Sequence, residues 1–393
     1  MKSIKTQSGI KGKIKYELSV VLGSRNKGRV VTLAGVLCHP FYRIKMIRHL
    51  HDLYKKSVQC DVLSPQNAKM WRSNFYKLAL TTYEKRYEDI IDAFYEIRLT
   101  CIKSLDFHKD EPIVVGAVRD DLVKIKETIK HHRKLGVKYF AFIDNGSTDG
   151  TREFLMEQDD VILFVTDMKY NSRRKTMWIN HVITKLGQNR WYLMIDSDEC
   201  FVYPRYEEVS LKEYTNQLLK KDITAVKSLM VELYPKGTLF DDSKNDSDFM
   251  NEYVWFDGDS EYYVFDMEKN TVSGGLHARA FNIGDASRTK TVLFYAQKGR
   301  FPTGSHDIFP LYENIEAKFG SILLHYKFLQ YDIAKMEQII KEKRYVHGSA
   351  VYRQYKKTFE KMQNPSLFYE GSVRWKGSES FKEFSIIEDL MAK

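Results

Sequence analysis

Between positions 112 and 231 short apolar runs alternate with stretches of helical periodicity, and this alternation limits the possible folds more than any other feature of the chain. The apolar runs fall at 113–118, 139–143, 161–165, 191–195 and 223–231, and the first is followed by Leu122, Ile125, Ile129 and Leu135 at helical spacing. A strand covered on both faces reads as an unbroken apolar run, as Trp191-Tyr192-Leu193-Met194-Ile195 does. Strands of that kind separated by amphipathic helices are the rhythm of a parallel sheet with helices on both sides. Gly136 is placed to stop the first helix. The pattern predicts an α/β fold with a doubly wound sheet.

The 393 residues leave room for accessory segments around such a domain. Residues 1–108 are expected to be mostly helical and basic. One stripe there, Tyr42, Met46, Ile47, Leu50, Leu53 and Tyr54, lies among Arg43, Lys45, Arg48, Lys55 and Lys56. A second is Ile90, Phe94, Ile97 and Cys101; both are expected to pack on the neighbouring domain. Residues 109–330 form the α/β domain, interrupted by a polar surface loop at 241–246, and residues 331–393 a helical C-terminal extension. No run approaches the roughly 18 apolar residues a membrane span needs, and the first residues lack the apolar core of a secretory signal. A cytoplasmic location is expected. The four cysteines are scattered and read as reduced, not as a zinc or redox pair. A net charge of +10 fits a nucleic acid, an anionic membrane or a phosphorylated substrate. No nucleic-acid module signature accompanies it, so no nucleic-acid partner is expected.

In open α/β sheets ligands bind beyond the carboxyl ends of the strands. Three runs end there in polar groups: Arg119-Asp120-Asp121, the turn Asp144-Asn145-Gly146-Ser147-Thr148-Asp149-Gly150, and Asp196-Ser197-Asp198-Glu199. Two carboxylates two residues apart on extended chain point the same way, and hard oxygen ligands together with phosphates hold Mg²⁺ or Mn²⁺. In the glycine-rich turn the alternative to a ligand site is structural, with Ser147 or Asp149 capping a helix.

Together, the run from Ile143 to Thr151 and Ile195-Asp196-Ser197-Asp198-Glu199 about fifty residues later resemble the family 2 glycosyltransferases of the GT-A fold. Gly274-Gly275-Leu276-His277-Ala278-Arg279, Gly304-Ser305-His306 and Leu323-Leu324-His325-Tyr326-Lys327 are similar to a bacterial branch of that superfamily. The resemblance spans residues 112–330. It implies a Rossmann-like, doubly wound mixed sheet. It also implies metal-dependent, inverting transfer from a nucleotide-sugar donor, a UDP-sugar by preference, to a glycan or lipid-linked acceptor in surface polysaccharide assembly.

By the same resemblance Asp196, Asp198 and His325 hold Mn²⁺ or Mg²⁺, and Ser197 faces the donor. Asp144 binds the base with Asn145 and Gly146, while Ala117 and Arg119 lie near base or ribose. Lys327 meets the diphosphate, with Arg173, Arg174 and Arg279 as further cations for the charge that develops on the leaving group. His306 is a contact to substrate or metal, and Asp257, Asp259 and Asp307 are the carboxylates in the region of the general base. Asp120-Asp121 stands where the family has Asn-Glu. A lipid-linked acceptor would be met at an anionic membrane surface, where each basic N-terminal residue adds about 1 kcal/mol.

Three other readings compete. The first is a non-catalytic glycan-binding or scaffold protein on a transferase fold. A nucleotidyltransferase would want a glycine-rich basic loop where Arg119-Asp120-Asp121 stands. Nucleic-acid binding by the basic N-terminal part would show as a steep salt dependence.

Overall fold

The structure, a computed structural model, describes residues 48, 65–81, 98–239, 248–258, 261–297, 299–310, 312–342, 346–362 and 365–392. The Phe41–Tyr54 stripe apart from Arg48, the residues Ile90, Phe94 and Ile97, Cys38 and Cys60, Asp259, and the 241–246 loop lie outside the described residues. Cys101, expected on a helix face, instead lies in a strand.

The architecture is α/β, built on a Rossmann-like mixed sheet of nine strands. The strands are β1 (Thr100–Lys103), β2 (Ile113–Val118), β3 (Tyr139–Asp144), β4 (Val161–Val165), β5 (Arg190–Met194), β6 (Glu199–Val202), β7 (Ala225–Glu232), β8 (Thr289–Ala296) and β9 (Lys318–His325). Their order across the sheet is β1-β4-β3-β2-β5-β8-β7-β9-β6. β4, β3, β2 and β5 pair in parallel, as the alternating pattern predicts. β8 is inserted antiparallel to both β5 and β7, and β9 runs parallel to β7. β1 and β6 close the two edges, each antiparallel to its neighbour.

Among the described residues the α-helices of six or more residues are α1 (Pro65–Thr81), α2 (Leu122–Lys134), α3 (Thr151–Glu157), α4 (Ser172–Leu186), α5 (Leu211–Lys220), α6 (Leu276–Phe281), α7 (Gln330–Glu342) and α8 (Val346–Lys361). Ile113, Val115, Ile143 and Met194 meet Trp178 and Val182 of α4 on one face of the sheet, and the alternate residues Val114, Phe142 and Leu193 meet Ile125 and Ile129 of α2 on the other. Both faces are therefore covered, which is why these strands read as continuous apolar runs. Helix α2 stops where Gly136 takes a φ of 78°. Trp71 and Phe75 of α1 join the α4 side of the core, where the Trp71 indole donates to Thr184 Oγ1 at 2.8 Å. Each such aromatic contributes about 1.5–3 kcal/mol of burial.

The C-terminal part carries α7 and α8 and changes character after Lys361. Ser372–Arg374 pairs with Trp255–Asp257 as a short antiparallel ribbon, and Leu390 fills the hollow over Gly320. This tail packs into the same body as the sheet and is not a separate helical extension.

Candidate active site

β2, β3, β4, β5, β7 and β9 all run in one direction, so their carboxyl ends share one edge of the sheet. β6 and β8 run the other way and bring their amino ends to that edge. Asp196–Asp198 after β5, Glu232 at the end of β7, His325 and Lys327 at the end of β9, Glu199 at the start of β6, and Arg288 and Lys290 at the start of β8 thus converge from distant parts of the chain.

His325 is the hinge of this cluster. Its Nε2 lies 3.2 Å from Asp198 Oδ2 and its Nδ1 lies 3.4 Å from Glu232 Oε1. Burial alone would favour the neutral ring, but the two carboxylates raise its pKa above the ordinary histidine value. Lys327 and Lys124 approach Asp198 at 3.6 and 3.9 Å. Burial works against the Asp198 carboxylate, yet His325, Lys327 and Lys124 hold it well below the usual range, so it stays ionised.

Asp196 has a different set of partners. Lys175 of α4 donates to Oδ1 and Lys290 lies 3.4 Å from Oδ2, while Lys290 also donates to Glu199 Oε1. These two lysines overcome the effect of burial and keep Asp196 ionised. Ser197 Oγ donates to Asp121, whose other oxygen accepts from Tyr331 of α7 at 2.7 Å. Lys124 also pairs with Asp332 at 2.7 Å.

The residues present fit a divalent ion. One ligand atom from each of Asp198, Glu199 and His325 lies within 4.8 Å of the others. Two carboxylates and one imidazole suit Mn²⁺ better than Mg²⁺, which prefers an all-oxygen shell. Glu232 stands behind His325 Nδ1, the arrangement that orients metal-binding histidines. Asp196, expected among the ligands, is not one of this triad; Glu199 takes its place in the geometry.

The other expected residues divide. Ala117 is half-buried near the end of β2, and Arg119 is exposed, 3.5 Å from Asp120. Asp144 is fully buried and committed to its own turn: it accepts from the Gly146 and Ser147 amides at 3.2 Å and from Arg152 at 2.7 Å. Gly146 adopts a φ of 75°, which that turn requires. Asn145 donates to the carbonyls of Thr166 and Met168, and its buried Oδ1 has no hydrogen-bond partner.

The β2–α2 and β3–α3 loops are stitched to one another. Asp120 N–H donates to Ser147 Oγ, Thr148 N–H to Asp120 Oδ1, Asp121 N–H to Thr151 Oγ1, and Leu122 N–H to Asp149 Oδ2. Asp149 therefore caps the start of α2 from a neighbouring loop, so the capping role weighed for it is realised across the two loops.

Arg174 donates to the Lys169 carbonyl at 2.8 Å, and its own amide is capped by Asn171, while Arg173 is exposed on the same turn. Asp257 and Arg279 are paired with each other through bonds of 2.7 and 2.9 Å; Tyr234 donates to the same carboxylate and Arg279 lies 4.0 Å over the Tyr369 ring. Asp257 is thus buried with its carboxylate paired to Arg279 and Tyr234, and the Arg279 guanidinium is held by Asp257, the Leu367 carbonyl and the Tyr369 ring. Asp307 lies on the hairpin that joins Phe301–Pro302 to Ile308–Phe309. His306 on the same hairpin donates Nδ1–H to the Thr289 carbonyl at 2.7 Å; burial and Lys290 bring its pKa down to about 3, so the ring is neutral.

Lys124, Lys175, Lys290, Glu199, Glu232, Tyr331 and Asp332 belong to the cluster without having been expected there. A signal for two of them exists in the sequence. Lys175 precedes Trp178, Ile179 and Val182 on the buried stripe of α4, and Lys124 sits beside Ile125 on that of α2. A lysine inside an apolar stripe needs a buried counter-charge.

No protein-family model matches the chain, and no curated protein matches it. Among solved structures it is similar to S. aureus TarS 1-349, with 11% identity, 59% of this chain and 65% of that chain covered, and a TM-score of 0.29. It is also similar to HddC from Yersinia pseudotuberculosis, with 9% identity, 47% of this chain and 73% of that chain covered, and a TM-score of 0.23. The chain thus spans just under two thirds of the TarS fragment. Likenesses this distant say nothing of chemistry. Among the described residues no helix is long and apolar enough to cross a membrane.

Proposed function

We propose that the chain is a glycosyltransferase that takes a nucleotide-sugar donor, a UDP-sugar by preference, and passes the sugar with inversion to a glycan or lipid-linked acceptor in surface polysaccharide assembly. The observation that carries this reading is the convergence of Asp198, Glu199 and His325 with Lys124, Lys175, Lys290 and Lys327 at the carboxyl edge of the sheet. A plain structural ion pair needs one cation and one carboxylate. This edge instead gathers a metal-type donor set and four lysine ammonium groups, the kinds of group that can meet the charge on a diphosphate leaving group.

In this reading Asp198, Glu199 and His325 hold Mn²⁺, with Glu232 fixing the His325 ring. When bound, the ion offsets negative charge on the diphosphate as the sugar–phosphate bond breaks. Lys327, 21% exposed at its side chain and the most open of the four lysines, faces the donor directly. Ala117, Arg119 and Asn145, with its unpartnered Oδ1, border the place for the base and ribose. Asp144 and Gly146 act by shaping the turn that carries Asn145.

Calorimetric titration of UDP, GDP, CMP and dTDP with Mn²⁺ and with chelator tests this. Metal-dependent binding of one nucleotide, lost in Asp198→Ala with His325→Ala, is expected. No binding of any of them would shift the reading to a non-catalytic glycan-binding or scaffold protein. The basic residues among the first 60 are proposed to draw the enzyme to anionic membrane surfaces; unchanged liposome binding after their deletion would end that part of the proposal.

A further inference from the structure

We propose that Lys175 and Lys290 form a two-sided grip on the donor diphosphate, with the Asp196 carboxylate holding the phosphate's place between them. The inference rests on the reading of this edge as a nucleotide-sugar site, and it gives these two lysines a role that no sequence pattern assigned.

Lys175 comes from α4 and Lys290 from β8, so the two ammonium groups are carried by rigid elements on different sides of Asp196. Both are more than nine-tenths buried. Burying an ammonium is costly and is tolerated only with full compensation. Lys290 has two carboxylates, those of Asp196 and Glu199. Lys175 has three donor hydrogens, and among the described residues its hydrogen-bond acceptor is Asp196 Oδ1 alone. Two of its donors are left for something else.

Asp196 is also the open member of the set. Its side chain is 31% exposed, against 1% for Glu199, so the mouth of the site lies on the Asp196 side of the lysine pair. A pair kept only for stability gains nothing from that opening, because apolar residues of similar volume serve at least as well. A compact ammonium suits phosphate oxygens as a point charge that any of them can meet. With a diphosphate in place, the unused donors of Lys175 reach its oxygens, and Lys290 meets them from β8 while still held by Glu199.

The test compares binding of a nucleoside diphosphate with binding of its own nucleoside, in Mn²⁺, for wild type, Lys175→Met and Lys175→Arg. UDP, GDP and dTDP are screened first and the tightest is carried forward. The nucleoside is followed by ligand-observed nuclear magnetic resonance. Lys175→Met leaves Asp196 paired with Lys290, so no carboxylate is stranded, and Lys175→Arg keeps the charge should the methionine variant not fold. The proposal expects Lys175→Met to weaken the diphosphate about 10- to 100-fold, the range of a lost charge-assisted hydrogen bond. Nucleoside affinity should stay unchanged, and Lys175→Arg should restore part of the loss. Equal weakening of both ligands, or of neither, in a folded variant overturns the grip and leaves the donor site standing. Binding of CMP alone by wild type does the same. Failure of wild type to bind any nucleotide overturns the grip and the donor site together.

Discussion

Glu232 offers the sharpest test of how the site is held. It is 1% exposed, and its Oε1 accepts from Arg288 while His325 and His277 each place Nδ1 3.4 Å away. Glu232→Gln keeps the shape and removes the charge. Arg288, itself 7% exposed, then has a buried guanidinium without its carboxylate. Breaking a buried pair from one side costs about 3–5 kcal/mol. At about 2.1 cal/mol/K per residue, the unfolding entropy of 393 residues is about 0.8 kcal/mol/K, so the melting temperature should fall by about 4–6 °C. Glu232→Gln combined with Arg288→Met leaves neither charge stranded and should recover most of the loss. Denaturant unfolding gives both differences. Separately, Mn²⁺ affinity should drop about 10- to 100-fold, because His325 loses the partner that orients its ring. A single variant within about 0.5 kcal/mol of wild type, or a double variant no better than the single, would refute this account of the cluster.

Two further outcomes follow from residues around the site. Asp257→Asn should lower thermal stability by loosening the Arg279 and Tyr234 contacts, while turnover of the folded variant stays within about threefold of wild type; a loss near 100-fold, about 2.7 kcal/mol, would make Asp257 the base after all. Lys227 is buried, and desolvation outweighs the nearby Asp307 to bring its pKa to about 8 from 10.5. Between those values the unfolded chain holds a proton that the folded chain has released, so stability should rise with pH across the window. Lys227→Met should flatten that rise; equal slopes in both proteins would contradict the buried neutral amine.

The sequence discloses the parallel half of the sheet and conceals the rest, for a physical reason. β2, β3, β4 and β5 are covered on both faces and announce themselves as apolar runs. β6 is four residues long and follows the Asp196–Asp198 turn at once, so nothing local separates it from a loop. β8 enters between β5 and β7, an order set by packing and not by any residue within it. The site divides in the same way. Asp198 follows an apolar run whose end draws attention to it, while His325 and Lys327 are expected only through the family resemblance; the structure brings the three together. Lys175 and Lys290 join the cluster only when α4 and β8 meet Asp196, while Asp144 and Arg279, which matched a pattern, and Asp257, which only lay in the right region, have their charges paired within the chain.

The stitching of the β2–α2 loop to the β3–α3 turn also bears on how such a protein can change. Asp120, Asp121 and Leu122 on one loop exchange bonds with Ser147, Thr148, Asp149 and Thr151 on the other. Transplanting either loop alone from a homologue would strand backbone donors on its counterpart. The two segments, some 25 residues apart, therefore form one hereditary unit. A library meant to vary this edge of the sheet would do best to draw them as a matched pair from a single parent.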